Sequence, residues 1–172
     1  SSRPSTALFW RTRLIRALEF VNVTETERRE HATTVEPELP VERTLPLAED
    51  QEITLHGRID RLEHHGEASI IADYKTGDIP TLKKITEGHA TQLLAYAMLV
   101  TDVAALEYWR LPHARHEGIV AGVEYCELEE SGVLEKLKDG LRQMLNETTP
   151  FLAVPDRIRD YDGISRYDEW AG

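Results

Sequence analysis

The chain has 172 residues, 41% of them hydrophobic, a net charge of −11 and a single cysteine, Cys126. That is enough for one domain with a real core, whereas the longest apolar stretch, residues 93 to 100, is too short for a membrane span and is broken by Tyr96. One cysteine excludes an internal disulfide framework and points, with no secretory signal pattern expected, to a reducing, cytoplasmic setting.

In chain order, residues 6 to 31 read as one helix. Leu8, Leu14, Ile15, Leu18 and Val21 form an apolar stripe suited to burial, and residues 24 to 30 form a polar, solvated end. Residues 32 to 44 read as a strand, and Pro37 and Pro40 suit it to an edge or bulged position, with Glu36 and Glu38 as exposed edge charges. Residues 52 to 62 form the next strand, with Ile53, Leu55 and Ile59 on one face, and residues 64 to 67 turn the chain into a partner strand at 68 to 75. A loop over 76 to 88 leads to a second helix at 90 to 103. Two strands follow, 104 to 111 and 119 to 128, joined by a segment whose His113 and His116 read as loop rather than metal ligands. Residues 129 to 147 predict a third helix burying Val133, Leu134, Leu137, Leu141, Met144 and Leu145, and the tail beyond Pro150 reads as an extended strap. The expected architecture is a single α/β domain over 1–172, a mixed central sheet flanked by helices: leading helix 1–31, sheet core 32–128 with helix 90–103, and C-terminal helix and tail 129–172.

Within the hairpin, Asp60 follows Gly57-Arg58-Ile59, and Asp73 follows the apolar run Ile70-Ile71-Ala72. Strand alternation turns Asp73 and Lys75 to one face and Tyr74 to the other, and the hairpin brings Asp60 beside Asp73. Phosphodiester hydrolysis calls for this set, because hard carboxylate oxygens suit Mg²⁺ or Mn²⁺ and a lysine can orient water or offset developing negative charge. A lone D-x-K on a strand is ordinarily a surface ion pair. Its place at the end of a buried run, and a glycine that lets the backbone be approached closely, favour a site.

Taken together, GRIDRLE at 57–63, ADYKTG at 72–77 and Gln92-Leu93-Leu94-Ala95-Tyr96 resemble the PD-(D/E)xK nucleases of the RecB type. The similarity is greatest to the C-terminal nuclease domain of AddB-like helicase–nuclease subunits, and residues 160 to 170 resemble the ending of some of these. The resemblance implies a restriction-endonuclease-like core. It makes Asp60 and Asp73 metal ligands, with the Tyr74 carbonyl a third donor, and Lys75 the catalytic lysine. Gln92 and Tyr96, one turn apart on a helix, would lie against the site or the nucleic acid. Arg58, Lys83 and Lys84, with Arg61 and Lys75, would form a local basic patch in an acidic background. Some superfamily members place an acidic residue on the strand that here carries Glu36 and Glu38. The upstream histidine motif usual in RecB-type nucleases does not occur, and neither His31 nor His56 stands in its context, so the chain is expected to be a piece of a longer protein. One cysteine cannot supply the four that hold an iron–sulfur cluster in many AddB-like subunits, so no cluster is expected here.

The expected function is a Mg²⁺- or Mn²⁺-dependent exodeoxyribonuclease domain acting on single-stranded DNA in double-strand-break repair and recombination, together with a helicase–nuclease partner subunit and other domains of its parent chain. The net charge of −11 opposes autonomous DNA binding, because phosphate neutralisation supplies most non-specific affinity; other domains holding the DNA would remove the conflict. The alternatives are a catalytically silent nuclease-like module that guides DNA or serves as scaffold, and a free-standing single-strand nuclease.

Overall fold

A computed structural model describes residues 4–32, 34–48, 51–113 and 116–145. Helix α1 (Pro4–Arg29) leads into β1 (Thr34–Ala48), β2 (Gln51–His65) and β3 (Ala68–Lys75). Helices α2 (Leu82–Thr86) and α3 (Thr91–Leu99) cross over to β4 (Val103–Arg110), and β5 (Ile119–Glu124), α4 (Tyr125–Ser131) and α5 (Val133–Leu145) complete the described chain. The tail and its 160 to 170 segment lie outside the described residues.

The five strands form one mixed sheet in the order β1-β2-β3-β4-β5. Only β3 and β4 run parallel, which the intervening helical crossover permits; the other pairs are antiparallel. The proline-containing β1 lies at an edge, where a missing N–H costs no ladder bond. One face of the sheet packs on α3, α4 and α5. Ile59, Leu62, Ile71, Leu93, Leu94, Leu106, Leu128 and Val133 form the centre of that core, each large side chain contributing roughly 1.5–3 kcal/mol on burial.

Ile59 and Leu62 both join this core although they stand three residues apart. The strand alternation therefore changes phase around Asp60 and Arg61. Glu38, between the register pairs Pro37–Arg61 and Leu39–Ile59, holds a positive φ of 51° at the same place.

Several sequence expectations are corrected. Residues 125 to 128 are helical rather than strand, because Glu124 and Glu127 form a reciprocal capping box that starts α4. The helix expected over 129 to 147 is broken at Gly132, whose left-handed conformation ends α4 before α5 begins. Met144 and Leu145 are exposed, so the buried face of α5 ends near Leu141. The helix expected over 90 to 103 stops at Leu99, and the loop after β3 contains α2, capped by Thr81.

The largest correction concerns α1. Its apolar residues Leu8, Leu14, Ile15 and Leu18 are exposed, together with Phe9, Trp10 and Val23. The end expected to be solvated is the one that docks: Thr24 is buried, and Arg28 ion-pairs with Glu63 and Glu107 at 3.0 and 2.9 Å. The sheet face beneath it carries charge, so the polar end of the helix is the complementary one. No described helix is long and apolar enough to cross a membrane.

Candidate active site

Asp60 stands one residue before the last paired position of the β2–β3 ladder, Arg61–Ala72, which puts it across from Asp73. Its Oδ2 accepts a hydrogen bond from the Tyr74 backbone N–H at 3.0 Å. The side chain thus takes a donor that continued strand pairing would have used, and fixes the carboxylate at the opening between the strands.

Asp73 is only 3% exposed. Lys75 Nζ lies 2.7 Å from its Oδ2 and forms an ion pair with it. Burial pushes the Asp73 carboxyl up, Lys75 pulls it down, and the charge of Asp60 pushes it up again, so it sits above the ordinary carboxylate value. Tyr108, opposite Asp73 in the parallel ladder, is pushed up to about 12 by burial and then by the Asp73 charge.

Lys75 Nζ donates to Gln92 Oε1 at 3.3 Å, and Gln92 Nε2 donates to the Tyr96 hydroxyl at 3.1 Å. Tyr96 therefore sets the orientation of the Gln92 amide, and the amide in turn positions the lysine. Tyr96 is itself buried, its ring packed against Gly57, where an added Cβ would come within 2.7 Å of Cε1. This explains the glycine in the GRID segment: β2 must pass close under the Tyr96 ring.

Lys75 and Gln92 also border an open groove of about 860 Å³, with Lys83 and Lys84 from α2, His89 and Tyr108 on its walls. The structure thus brings Asp60, Asp73, Lys75, Gln92 and Tyr96 together and sets Lys83 and Lys84 beside them. Arg58 is not among them. It is 70% exposed and ion-paired with Glu38 at 3.7 Å. Arg61 does not belong to the basic patch either: it is buried on the opposite face, paired with Glu25 and Glu63 at 2.6 Å each. Glu36 pairs with His64 at 2.9 Å, and His113 and His116 close a turn.

The family model of the PD-(D/E)XK nuclease superfamily matches residues 2–158. The chain belongs to this superfamily. The mixed sheet with flanking helices is the restriction-endonuclease-like architecture of PD-(D/E)XK nucleases, and Asp73-Tyr74-Lys75 spells their D-x-K pattern. A solved structure described as "Crystal structure of SSO0001" is similar over 87% of this chain, with 16% identity and a TM-score of 0.44; the chain spans 64% of that structure's length. No curated protein matches.

PD-(D/E)XK nucleases hydrolyse phosphodiesters with divalent metals. The residues present suit such an ion. Asp60 and Asp73 offer hard oxygens from adjoining strands, and Asp73 is a buried carboxylate with another acid beside it. Among the described residues, no group of three or more His, Cys, Asp or Glu is placed to hold a metal.

Sequence reasoning missed Tyr108, the positioning of Gln92 by Tyr96 and the burial of Arg61. An aromatic on an apolar strand gives no sign that register will set it beside an aspartate. The R-x-E spacing of Arg61 and Glu63 was a readable signal, since two charges at i and i+2 share one face of a strand.

Proposed function

We propose that this PD-(D/E)XK domain is a metal-dependent deoxyribonuclease in which Asp60 and Asp73 hold Mg²⁺ or Mn²⁺, with the Tyr74 carbonyl as a further donor, and Lys75 is the catalytic lysine. The reading rests above all on the Asp73 carboxylate, buried beside a second carboxylate and with Lys75 Nζ, 2.7 Å from Oδ2, as its close cation among the described residues. A structural aspartate at that depth would be expected to be surrounded by donors and cations, as Glu63 is, rather than set against another acid.

A divalent ion bound there supplies Lewis acidity toward a phosphoryl oxygen and a site for water. The side chains of the domain do the rest. Asp60 and Asp73 concentrate negative charge at one point, and Lys75, held by Gln92, presents its ammonium where negative charge grows on the phosphate. Lys83 and Lys84 border the same groove and attract the phosphate backbone. Tyr96 acts from below by fixing Gln92.

The substrate is a single strand of DNA. The order of GRID, DYKTG and Q-x-x-x-Y supports a place in an AddB-like helicase–nuclease acting in double-strand-break repair and recombination, where other domains and a partner subunit deliver the strand.

End-labelled single-stranded DNA with Mg²⁺ or Mn²⁺ tests the reading. Asp73→Ala and Lys75→Ala are expected to lower cleavage about 10²–10³-fold, the cost of losing one transition-state contact. Calorimetry with Mn²⁺ alone is expected to show a binding event lost in both Asp60→Ala and Asp73→Ala. Cleavage that survives Asp73→Ala, or Mn²⁺ binding unchanged by either substitution, overturns the assignment.

A further inference from the structure

Residues 1 to 18 hold Arg3, Arg11, Arg13 and Arg16 and no aspartate or glutamate, in a chain of net charge −11. Within this basic stretch, Phe9 and Trp10 are 55% and 60% exposed on α1. Their rings meet edge to face at 5.9 Å, and the Arg13 guanidinium lies over both, 5.4 and 5.2 Å from the centroids. Two large rings are therefore held in a fixed arrangement at the surface by a cation, although burying them would be worth far more.

Their location gives this arrangement a use. A hollow of about 180 Å³ is lined by Trp10, Arg13, Leu14, Thr76, Leu111 and Pro112. Thr76 directly follows Lys75, and Leu111 donates its N–H to the Lys75 carbonyl at 2.8 Å. The aromatic turn of α1 thus reaches the carboxyl ends of the parallel strands β3 and β4, where Lys75 enters the groove on the other side of the sheet. Open α/β sheets bind ligands in that position.

We propose that Phe9, Trp10, Arg11 and Arg13 of α1 form a stacking platform for the single-stranded DNA that the Asp60–Asp73–Lys75 site cleaves. Sequence-tolerant single-strand binding combines cations that track phosphates with aromatic faces on which bases stack. The α1 surface provides both, and the hollow it lines includes Thr76, the residue that follows the D-x-K lysine. Bases rest on Trp10 and Phe9, Arg11 engages the backbone, and the strand passes over the end of β3 and β4 into the groove beside Lys75. Arg16 is paired with Glu117 at 3.1 Å, and Arg11 and Arg13, on a stretch of α1 without acidic residues, give the acidic domain a local basic surface beside the site. This inference rests on the nuclease reading for the fate of the strand, but not for its binding.

The test is fluorescence anisotropy of a labelled oligothymidylate in EDTA, which removes cleavage and metal from the measurement. Trp10→Ala is expected to weaken binding at least about fivefold, and Phe9→Ala combined with it more than either alone. Arg11→Ala is expected to reduce the slope of log affinity against log salt by about 0.7, one phosphate contact on a single strand. All are exposed positions, and circular dichroism checks that each variant is folded. A folded Phe9→Ala/Trp10→Ala variant with unchanged affinity and salt slope overturns the platform. So does unchanged DNA affinity with a shift in oligomeric state, which would assign the face to protein contact. Failure of the nuclease reading would be seen instead in the Asp73→Ala cleavage and Mn²⁺ titrations, which leave the EDTA measurement untouched.

Discussion

The two faces of the β2–β3 hairpin each bury a carboxylate, and they treat it in opposite ways. On the face under α1, Glu63 is fully buried and receives Arg28, Arg61 and His65 at 3.0, 2.6 and 3.0 Å. On the face under α3, Asp73 is almost as deep, yet has one lysine and a second carboxylate as neighbours. Burial pushes Glu63 up, but hydrogen bonds from His65 and Arg61 and the charges of Arg28 and Arg61 outweigh it, leaving its pKa below the ordinary value. Asp73 ends above its ordinary value. A buried acid surrounded by cations braces the fold; a buried acid set against another acid is available to a ligand carrying positive charge.

The largest effect expected from breaking this contrast is at Glu63. Glu63→Gln leaves Arg61 buried with only Glu25 as counter-charge and should destabilise the domain by about 3 kcal/mol in urea denaturation. An unchanged midpoint would remove the bracing role. Gly57→Ala comes next. The added methyl meets the Tyr96 ring, at a cost of about 1–3 kcal/mol. Because Tyr96 holds Gln92 and Gln92 holds Lys75, cleavage should fall further than the loss of folded protein accounts for. A drop that merely tracks the folded fraction would show the Tyr96–Gln92–Lys75 relay to be inert.

The smallest effect has the opposite sign. A raised carboxyl pKa means that the folded state binds its proton more tightly, so the Asp73 contribution to stability falls as pH rises through that raised value. For Glu63 the lowered pKa gives stability present above the unfolded value, about 4.3, and lost as pH falls through the folded one. In EDTA at neutral pH, Asp73→Asn should therefore raise the denaturation midpoint modestly, and the gain should vanish in acid, where Asp73 is protonated in both states. Mn²⁺ should stabilise the wild type, since a ligand of the folded state adds to stability, and should leave Asp73→Asn unmoved. A metal-free Asp73→Asn variant less stable than the wild type at neutral pH would show that Asp73, like Glu63, serves the fold.

The motif residues were legible because their geometry is local. Strand alternation fixes Asp73 and Lys75 on one face, the hairpin fixes Asp60 near them, and helical spacing puts Gln92 one turn from Tyr96. The same local rules misplaced elements where a cap or a partner decided. The run 119 to 128 alternates well enough for a strand, but Glu124 and Glu127 start a helix inside it. In α1 the apolar residues looked like the buried face, and the charged end of the helix is the part that docks.

The sequence by itself determined an α/β domain carrying two carboxylates and a lysine at the end of a buried hairpin, because strand and helix periods are properties of the chain alone. Tertiary structure decided which charges are spent on the fold and which remain for chemistry. Arg58 and Arg61 are close neighbours in one basic-looking segment, and only packing puts Arg58 in solvent and buries Arg61 against Glu25 and Glu63. The i, i+2 spacing of Arg61 and Glu63 marks their shared face locally, but their burial depends on Glu25 and Arg28, which α1 brings across from elsewhere in the chain.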